Sequence, residues 1–381
     1  MVDRPGMAGG LQAGRTGGIM KWAVLGASGF IGSRLVECLY LGGKEVRPIV
    51  RQVSSLARAA RFQLDWRIAS LTDTAALAAA MKGSDILVHC AVGDETVIVQ
   101  GVAPIYAAAQ QAGVRRIIYL SSAAVHGLKP DPSTTEETPL PRNERLLYYR
   151  AKIRAEAEWE KARRGGSTEL VGLRPSIVFG PRSFWVPDVV TRALAGSLYL
   201  AAGGRGICNT IYVDNLIHAI LRAGEASGVD GRYFLLRDRE QITWAEFYEP
   251  LLKSCGRELS QVPLVEIPSR FPRPVEDRLI NRLRRVSLIK RTLKRTPKVI
   301  KRMGKAVLKS LPDEASRWKS PSRHSLPLSE EIIGLQTCRW LVPYEKAAQE
   351  LDYQPAVSFA EGMRRSIGWL EFAGYPCRIS S

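Results

Sequence analysis

Trp22-Ala-Val-Leu25-Gly26-Ala-Ser28-Gly29-Phe30-Ile31-Gly32 decides the fold. Four apolar residues lead into three spaced glycines, and an apolar-periodic run to Tyr40 follows. This describes a buried strand that turns sharply into a helix. Such a turn lets backbone N–H groups at the positive end of a helix approach a pyrophosphate. Gly26 permits the tight turn, Gly29 the close approach and Gly32 the packing of helix on strand. The bland alternative is a turn whose glycines serve backbone geometry alone. The strand before it and the helix after it favour a dinucleotide, with Ser28, Phe30 and Ile31 counted among the binding candidates.

Outward from that loop, apolar runs alternate with helical stretches as far as Pro175, the pattern of a parallel sheet wrapped by helices. Strands are expected at Val46–Val50, Ile86–His89, Arg116–Leu120 and Leu170–Leu173. Helices are expected over Ile31–Tyr40, from a Thr72 cap through Met81, over Ile105–Ala112, and from about Glu144 to Arg163. Beyond Pro175 strands become sparse. The expectation is a Rossmann-like doubly wound domain over 20–175 and a smaller substrate-binding lobe over 176–381, closed by a helix from Phe359 to Phe372. Residues 1–19 are rich in Gly, Arg and Ala and are expected to be a disordered tail, or to precede a natural start near Met20.

The chain has 381 residues, 45% of them apolar and 24% charged, as in ordinary globular proteins. No stretch approaches the roughly 18 apolar residues of a membrane span. Six scattered cysteines suit reduced thiols and a cytoplasmic location better than a disulfide framework. The histidines share no metal-ligand spacing with acids or cysteines, so no metal is expected, and His89 reads as a packed residue of a buried strand.

The second strand ends at Arg51, with Arg47 on the same strand and no acid nearby. A carboxylate there would repel a 2′-phosphate, whereas a guanidinium can bind one bidentately. Arg51 therefore favours NADP(H). NAD(H) stays open, because an arginine can also stack on adenine or face solvent.

Tyr148 and Lys152 stand four apart on a helix and so share a face. A free tyrosine ionises near pH ~10 and is a poor base at neutrality, but a neighbouring ammonium favours the phenolate. Ser122, closing the strand Arg116–Leu120, can orient a substrate oxygen while Tyr148 moves its proton. Lys152 can also reach the nicotinamide ribose. Tyr-x-x-x-Lys is common by chance on charged helices, so the reading depends on Ser122 and the glycine loop occurring with it.

With these pieces in hand, the chain resembles the extended short-chain dehydrogenase/reductase family, of NAD-dependent epimerase/dehydratase type. The resemblance runs from about Met20 to Trp369. It is carried by Gly26-Ala-Ser-Gly29-Phe-Ile-Gly32, His89-Cys-Ala91, Ser121-Ser-Ala-Ala-Val-His-Gly127, Tyr148-Tyr-Arg-Ala-Lys152, Leu173-Arg-Pro175-Ser-Ile-Val-Phe-Gly-Pro181, Tyr212-Val-Asp-Asn215 and Leu351-Asp-Tyr-Gln-Pro355. It implies catalytic Ser122, Tyr148 and Lys152, further cofactor contacts at Ala91, Lys152 and Pro175, and a homodimer. Departures matter as well. Ala123 and Ala124 replace the acids of dehydratases, Ser70 replaces an adenine-contacting aspartate, Ile177 replaces an asparagine common in sugar-nucleotide enzymes, and His126 replaces a frequent tyrosine. The leading expectation is an NAD(P)-dependent oxidoreductase or epimerase acting on a nucleotide- or polyprenyl-diphosphate-linked sugar. Arg51 and Ile177 lean toward an alternative, a reductase or dehydrogenase of a lipophilic, hydroxysteroid-like alcohol or ketone. A non-catalytic NADPH-binding accessory protein is the third reading.

The net charge of +18 is concentrated. Residues 269–323 hold 18 Lys/Arg against four Asp/Glu, a net of +14. Within 276–311, Leu279, Leu283, Val286, Ile289 and Leu293 fall at helical spacing, and Ile300, Met303, Val307 and Leu311 follow after Thr296-Pro297. Basic amphipathic helices suit an anionic membrane surface, which would place the protein peripherally on the inner face of a membrane. Solvated helices packed on the lobe are the structural alternative. DNA or RNA is not expected, because no aromatic residue lies in 276–311 for base stacking.

Overall fold

A computed structural model describes residues 20–58, 62–268, 271 and 328–378. The expected basic helices of 276–311 and the expected tail of 1–19 lie outside the described residues. The chain runs β1 (Lys21–Leu25), α1 (Phe30–Leu41), β2 (Glu45–Val50), β3 (Arg67–Ile68), α2 (Thr74–Met81), β4 (Ile86–His89), α3 (Glu95–Gln100), α4 (Val102–Gln111), β5 (Arg116–Leu120), α5 (Leu147–Arg163) and β6 (Glu169–Pro175). Then come β7 (Ile177–Phe179), α6 (Trp185–Leu194), β8 (Leu200–Ala201), β9 (Thr210–Tyr212), α7 (Val213–Glu225), β10 (Arg232–Leu236), α8 (Trp244–Ser254) and β11 (Leu264–Val265). After the undescribed stretch follow α9 (Glu330–Gln336), α10 (Glu345–Leu351) and α11 (Phe359–Phe372).

The main sheet has the order β10-β6-β5-β4-β1-β2-β3 with parallel pairings throughout. Strand order reverses between β1 and β4, and that crevice is where doubly wound folds bind ligands. Alternation along β1 assigns its two faces. Trp22 and Val24 enter the core with Leu35, Val36 and Leu39 of α1 and Leu216 and Ile220 of α7. Ala23 and Leu25 face Leu77 of α2, Ile105 of α4 and Trp159 of α5.

The sheet is not complete at Pro175. Arg232–Leu236 returns beside β6, with Phe234 opposite Leu173. The lobe is built from what remains: β7 pairs with β9, β8 with β11, and α6 and α8 pack beside them.

Two helix starts differ from expectation. Asp73, not Thr72, caps α2, its carboxylate accepting from Ala76 N–H at 2.9 Å, while Thr72 Oγ1 sits 3.1 Å from Ser70 Oγ. A carboxylate facing the positive helix end is the stronger acceptor. The catalytic helix begins at Leu147 rather than Glu144, because Glu144 Oε1 accepts from the N–H groups of Arg145 and Leu146 at 2.6 and 2.8 Å. Tyr148 thus lies in the first turn of α5.

Candidate active site

The glycine loop fits a dinucleotide on its own geometry. Gly29 is the N-cap of α1 and offers no side chain to the first-turn N–H groups, which suits a phosphate there. Gly26 has φ +86°, and a Cβ on it would lie 2.6 Å from Ala91 N. A Cβ on Gly32 would lie 2.3 Å from the Gly26 carbonyl oxygen. Side chains are therefore excluded from the cradle, which stands at the β1–β4 crossing point. Ser28 belongs to this turn, and Ala91 forms its floor beneath Gly26. Arg51 follows β2 directly and is exposed. Arg47 does not share its role: its guanidinium bonds Asp65 at 2.9 Å and the Lys82 carbonyl.

Phe30, Ile31 and Pro175 join the proposed catalytic residues around one cavity of about 540 Å³. The helix α5 turns Tyr148, Lys152 and Glu156 toward the ends of β5 and β6, next to a buried stripe of Ala151, Ala155 and Trp159 that fixes it on the sheet. Ser122 lines the same cavity and hydrogen-bonds the Tyr148 phenol, and its Oγ accepts from Ala124 N–H at 3.2 Å. Lys152 Nζ is buried and donates to the Leu120 carbonyl at 2.7 Å and the Tyr119 hydroxyl at 3.4 Å. It lies 5.9 Å from the centroid of the Tyr148 ring.

The structure brings the three residues together but corrects the electrostatic expectation. Burial pushes the Tyr148 phenol up from its ordinary value, with the Ser122 hydrogen bond pulling the other way. Burial also pushes Lys152 down to about 8, against the opposing charge of Glu156. The shift of Lys152 is toward its neutral form, which works against acidification of the phenol. Desolvation outweighs the pair attraction.

A buried ionic network lies beneath. Arg174 grips Glu156 through two bonds of 2.7 and 3.0 Å, and Ser121 Oγ donates to Glu156 Oε1 at 2.5 Å. Arg174 Nη1 also donates to the Glu136 carbonyl at 3.1 Å and approaches His126 Nε2 at 3.3 Å. His126 is pushed down to about 4 by burial and by Arg174, so its ring is neutral and Nε2 accepts. Sequence reasoning found no role for His126; here it is an acceptor for the arginine. It also missed Glu156, although the spacing 148, 152, 156 places it on the catalytic face.

The model of the NAD dependent epimerase/dehydratase family matches residues 22–236. The chain belongs to this family. A 3beta-hydroxysteroid-dehydrogenase/decarboxylase isoform 1 of Arabidopsis thaliana is 26% identical over 91% of this chain and 79% of its own length. A 3-beta-hydroxysteroid dehydrogenase of Mycolicibacterium neoaurum is 31% identical over 63% of this chain and 71% of its own. Among solved structures, the UDP-glucose 4-epimerase of Thermotoga maritima superposes with a TM-score of 0.64 at 19% identity, covering 93% of this chain and 99% of that one. Both the sequence match and the sheet order make this protein an NAD-type oxidoreductase or epimerase of the epimerase/dehydratase family.

Within this family the distinctive part of the chain is the cavity wall. Ala123, Ala124 and Ile177 all line it, so the positions that departed from the sugar-enzyme pattern are apolar surface at the site. Trp185, Trp244, Trp340 and Leu335 extend that surface. Among the described residues the lining includes two charged side chains, Lys152 and Glu331. Glu331 and Trp340 carried no sequence signal, because they reach the site through contacts far apart in the chain. His89 is buried beside Tyr119 and Trp159, as a packed strand residue should be. Among the described residues no group of His, Cys, Asp and Glu is arranged to hold a metal, and no helix is long and apolar enough to cross a membrane.

Proposed function

We propose that this enzyme interconverts a secondary alcohol and a ketone on a lipophilic, ring-bearing substrate of hydroxysteroid type. The carrying observation is the cavity wall: indole and aliphatic surface, with no cation beside Lys152 among the described residues that line it to hold the diphosphate of a nucleotide- or polyprenyl-linked sugar. The names of the curated relatives point the same way. A bound nicotinamide dinucleotide would supply the carbon that accepts or returns the hydride.

The chain's own groups handle the oxygen and its proton. Ser122 Oγ, already bonded to Tyr148, orients the substrate oxygen. As a phenolate Tyr148 Oη takes the hydroxyl proton on oxidation, and as a phenol it gives a proton to the carbonyl oxygen on reduction, becoming a phenolate. Lys152 Nζ lies 5.9 Å from the centroid of the Tyr148 ring, and opposite charges at about 6 Å attract by about 3 kcal/mol at an effective dielectric of ~20 if that nitrogen keeps its proton. Two of its three donors serve Leu120 and Tyr119, and the third suits a ribose hydroxyl. Such a bond would favour the protonated amine and restore the coupling that burial suppresses. Glu156 assists by its charge.

Arg51, exposed at the end of β2, supports NADP(H) over NAD(H). Stoichiometric NADPH oxidation with a hydrophobic ketone tests the assignment. Epimerisation of a UDP-sugar without net cofactor turnover, and no reaction with the ketone, would overturn it. The charge of residues 269–323 supports peripheral association with an anionic membrane; co-sedimentation with phosphatidylserine vesicles, lost in high salt, is the expected result.

A further inference from the structure

Glu331 is out of place in its surroundings. It lies half-buried on the wall of an apolar cavity, and no salt bridge reaches it among the described residues. Removing a carboxylate from water without a cation is costly, so its presence asks for a function. Its place in the first turn of α9 suits a carboxylate, but the capping bond itself is made by Ser329, whose Oγ accepts from Ile332 N–H, so the helix does not require Glu331 to enter the cavity wall. Beside it on the same wall stands the buried phenol of Tyr149, which burial and the carboxylate push up from its ordinary value. The rings of Tyr149 and catalytic Tyr148 are 6.3 Å apart, and the charge of Glu331 is felt at Tyr148. The carboxylate therefore faces the neighbourhood of the reacting carbon.

We propose that Glu331, on the cavity wall beside Tyr149, selects substrate charge: it accepts a hydroxyl donor close to the reacting carbon and repels a carboxylate there. The proposal rests on the alcohol–ketone reading above and adds what the neighbouring substituent must be. Like charges at short range in a partly desolvated cavity raise the free energy of the wrong substrate. Lys152, the one cation among the described lining residues, is engaged by Leu120, Tyr119 and the field of Glu156, and does not offset that repulsion.

The test uses three matched probes: 2-decalol, decalin-2,3-diol and 3-hydroxydecalin-2-carboxylate. Turnover is followed with the full-length enzyme and dinucleotide. Binding is read separately by quenching of tryptophan emission, since Trp185, Trp244 and Trp340 line the cavity. Wild type should favour the diol over the carboxylate by about tenfold or more in both kcat/KM and affinity. E331Q, which removes the charge at constant size, should shrink that preference by about tenfold in both affinity and kcat/KM, each probe being compared with 2-decalol in the same variant. Y149F, retaining the carboxylate, should keep the preference. A wild type that binds all three probes equally, or an E331Q variant with wild-type selectivity, would overturn the proposal. If no probe is turned over, the alcohol–ketone reading fails, while the quenching order still decides the role of Glu331.

Discussion

Replacing Lys152 with methionine should make the protein more stable and inactive, with a stability gain that depends on pH in a defined direction. Lys152 is fully buried and pushed down to about 8, from an ordinary value near 10.5. The unfolded chain thus binds this proton more tightly than the folded one. Where the unfolded state holds more protons, stability rises with pH. The penalty is complete below about pH 8, shrinks between the two values and vanishes above about 10.5. A difference of roughly 2.5 pH units corresponds to about 3 kcal/mol at pH 7. Freeing the Leu120 carbonyl costs about 1 kcal/mol or more in the variant, leaving a net gain of about 1–2 kcal/mol there. Between pH 7 and 9.5 the advantage of K152M should fall by about 2 kcal/mol, as the wild type sheds its buried charge. Urea unfolding of both proteins across that range measures the difference, and shared titrations cancel. A K152M advantage independent of pH would refute the argument that desolvation governs this amine.

Tyr148→Phe should lower kcat by about 10²–10⁴-fold while leaving dinucleotide binding intact, measured by steady-state kinetics and fluorescence titration. Gly26→Ala should abolish dinucleotide binding, since its Cβ would meet the backbone of Ala91 and the residue holds φ +86°; calorimetric titration reads the loss. Arg174→Ala should cost about 3–5 kcal/mol in thermal or urea unfolding by leaving Glu156 buried without its partner. Arg51→Ala should narrow the kcat/KM preference for NADPH over NADH, and a wild-type preference for NADH would defeat the reading of that residue.

Where local chemistry determines structure, the sequence was readable. The β1 loop, the strands at Ile86–His89 and Arg116–Leu120, and the last helix all occur at the expected places, because their apolar periods and glycine stops act within a few residues. Thr72 and Asp73 are adjacent candidates for one cap, and only the backbone geometry decides between them. The strand Arg232–Leu236 was legible in principle, as Tyr-Phe-Leu-Leu after Gly231, but was missed because its partner β6 lies some 60 residues earlier. Ser122, Tyr148 and Lys152 were readable from spacing and come together at one cavity. Their ionisation was not, because burial reverses what proximity alone implies. The same limit hid Glu331 and Trp340, whose place depends on how the end of the chain folds back.

That return has a consequence for biosynthesis. The Trp340 indole N–H donates to the Thr134 carbonyl, 206 positions upstream, and Gln336 ties α9 to Tyr199 and Tyr248. A ribosome completes the nucleotide half long before it delivers these side chains. Until then the trough beside Tyr148 lacks one flank, and its greasy lining faces solvent or a chaperone. Nascent chains paused ahead of residue 330 should accordingly be the most aggregation-prone species this protein ever forms.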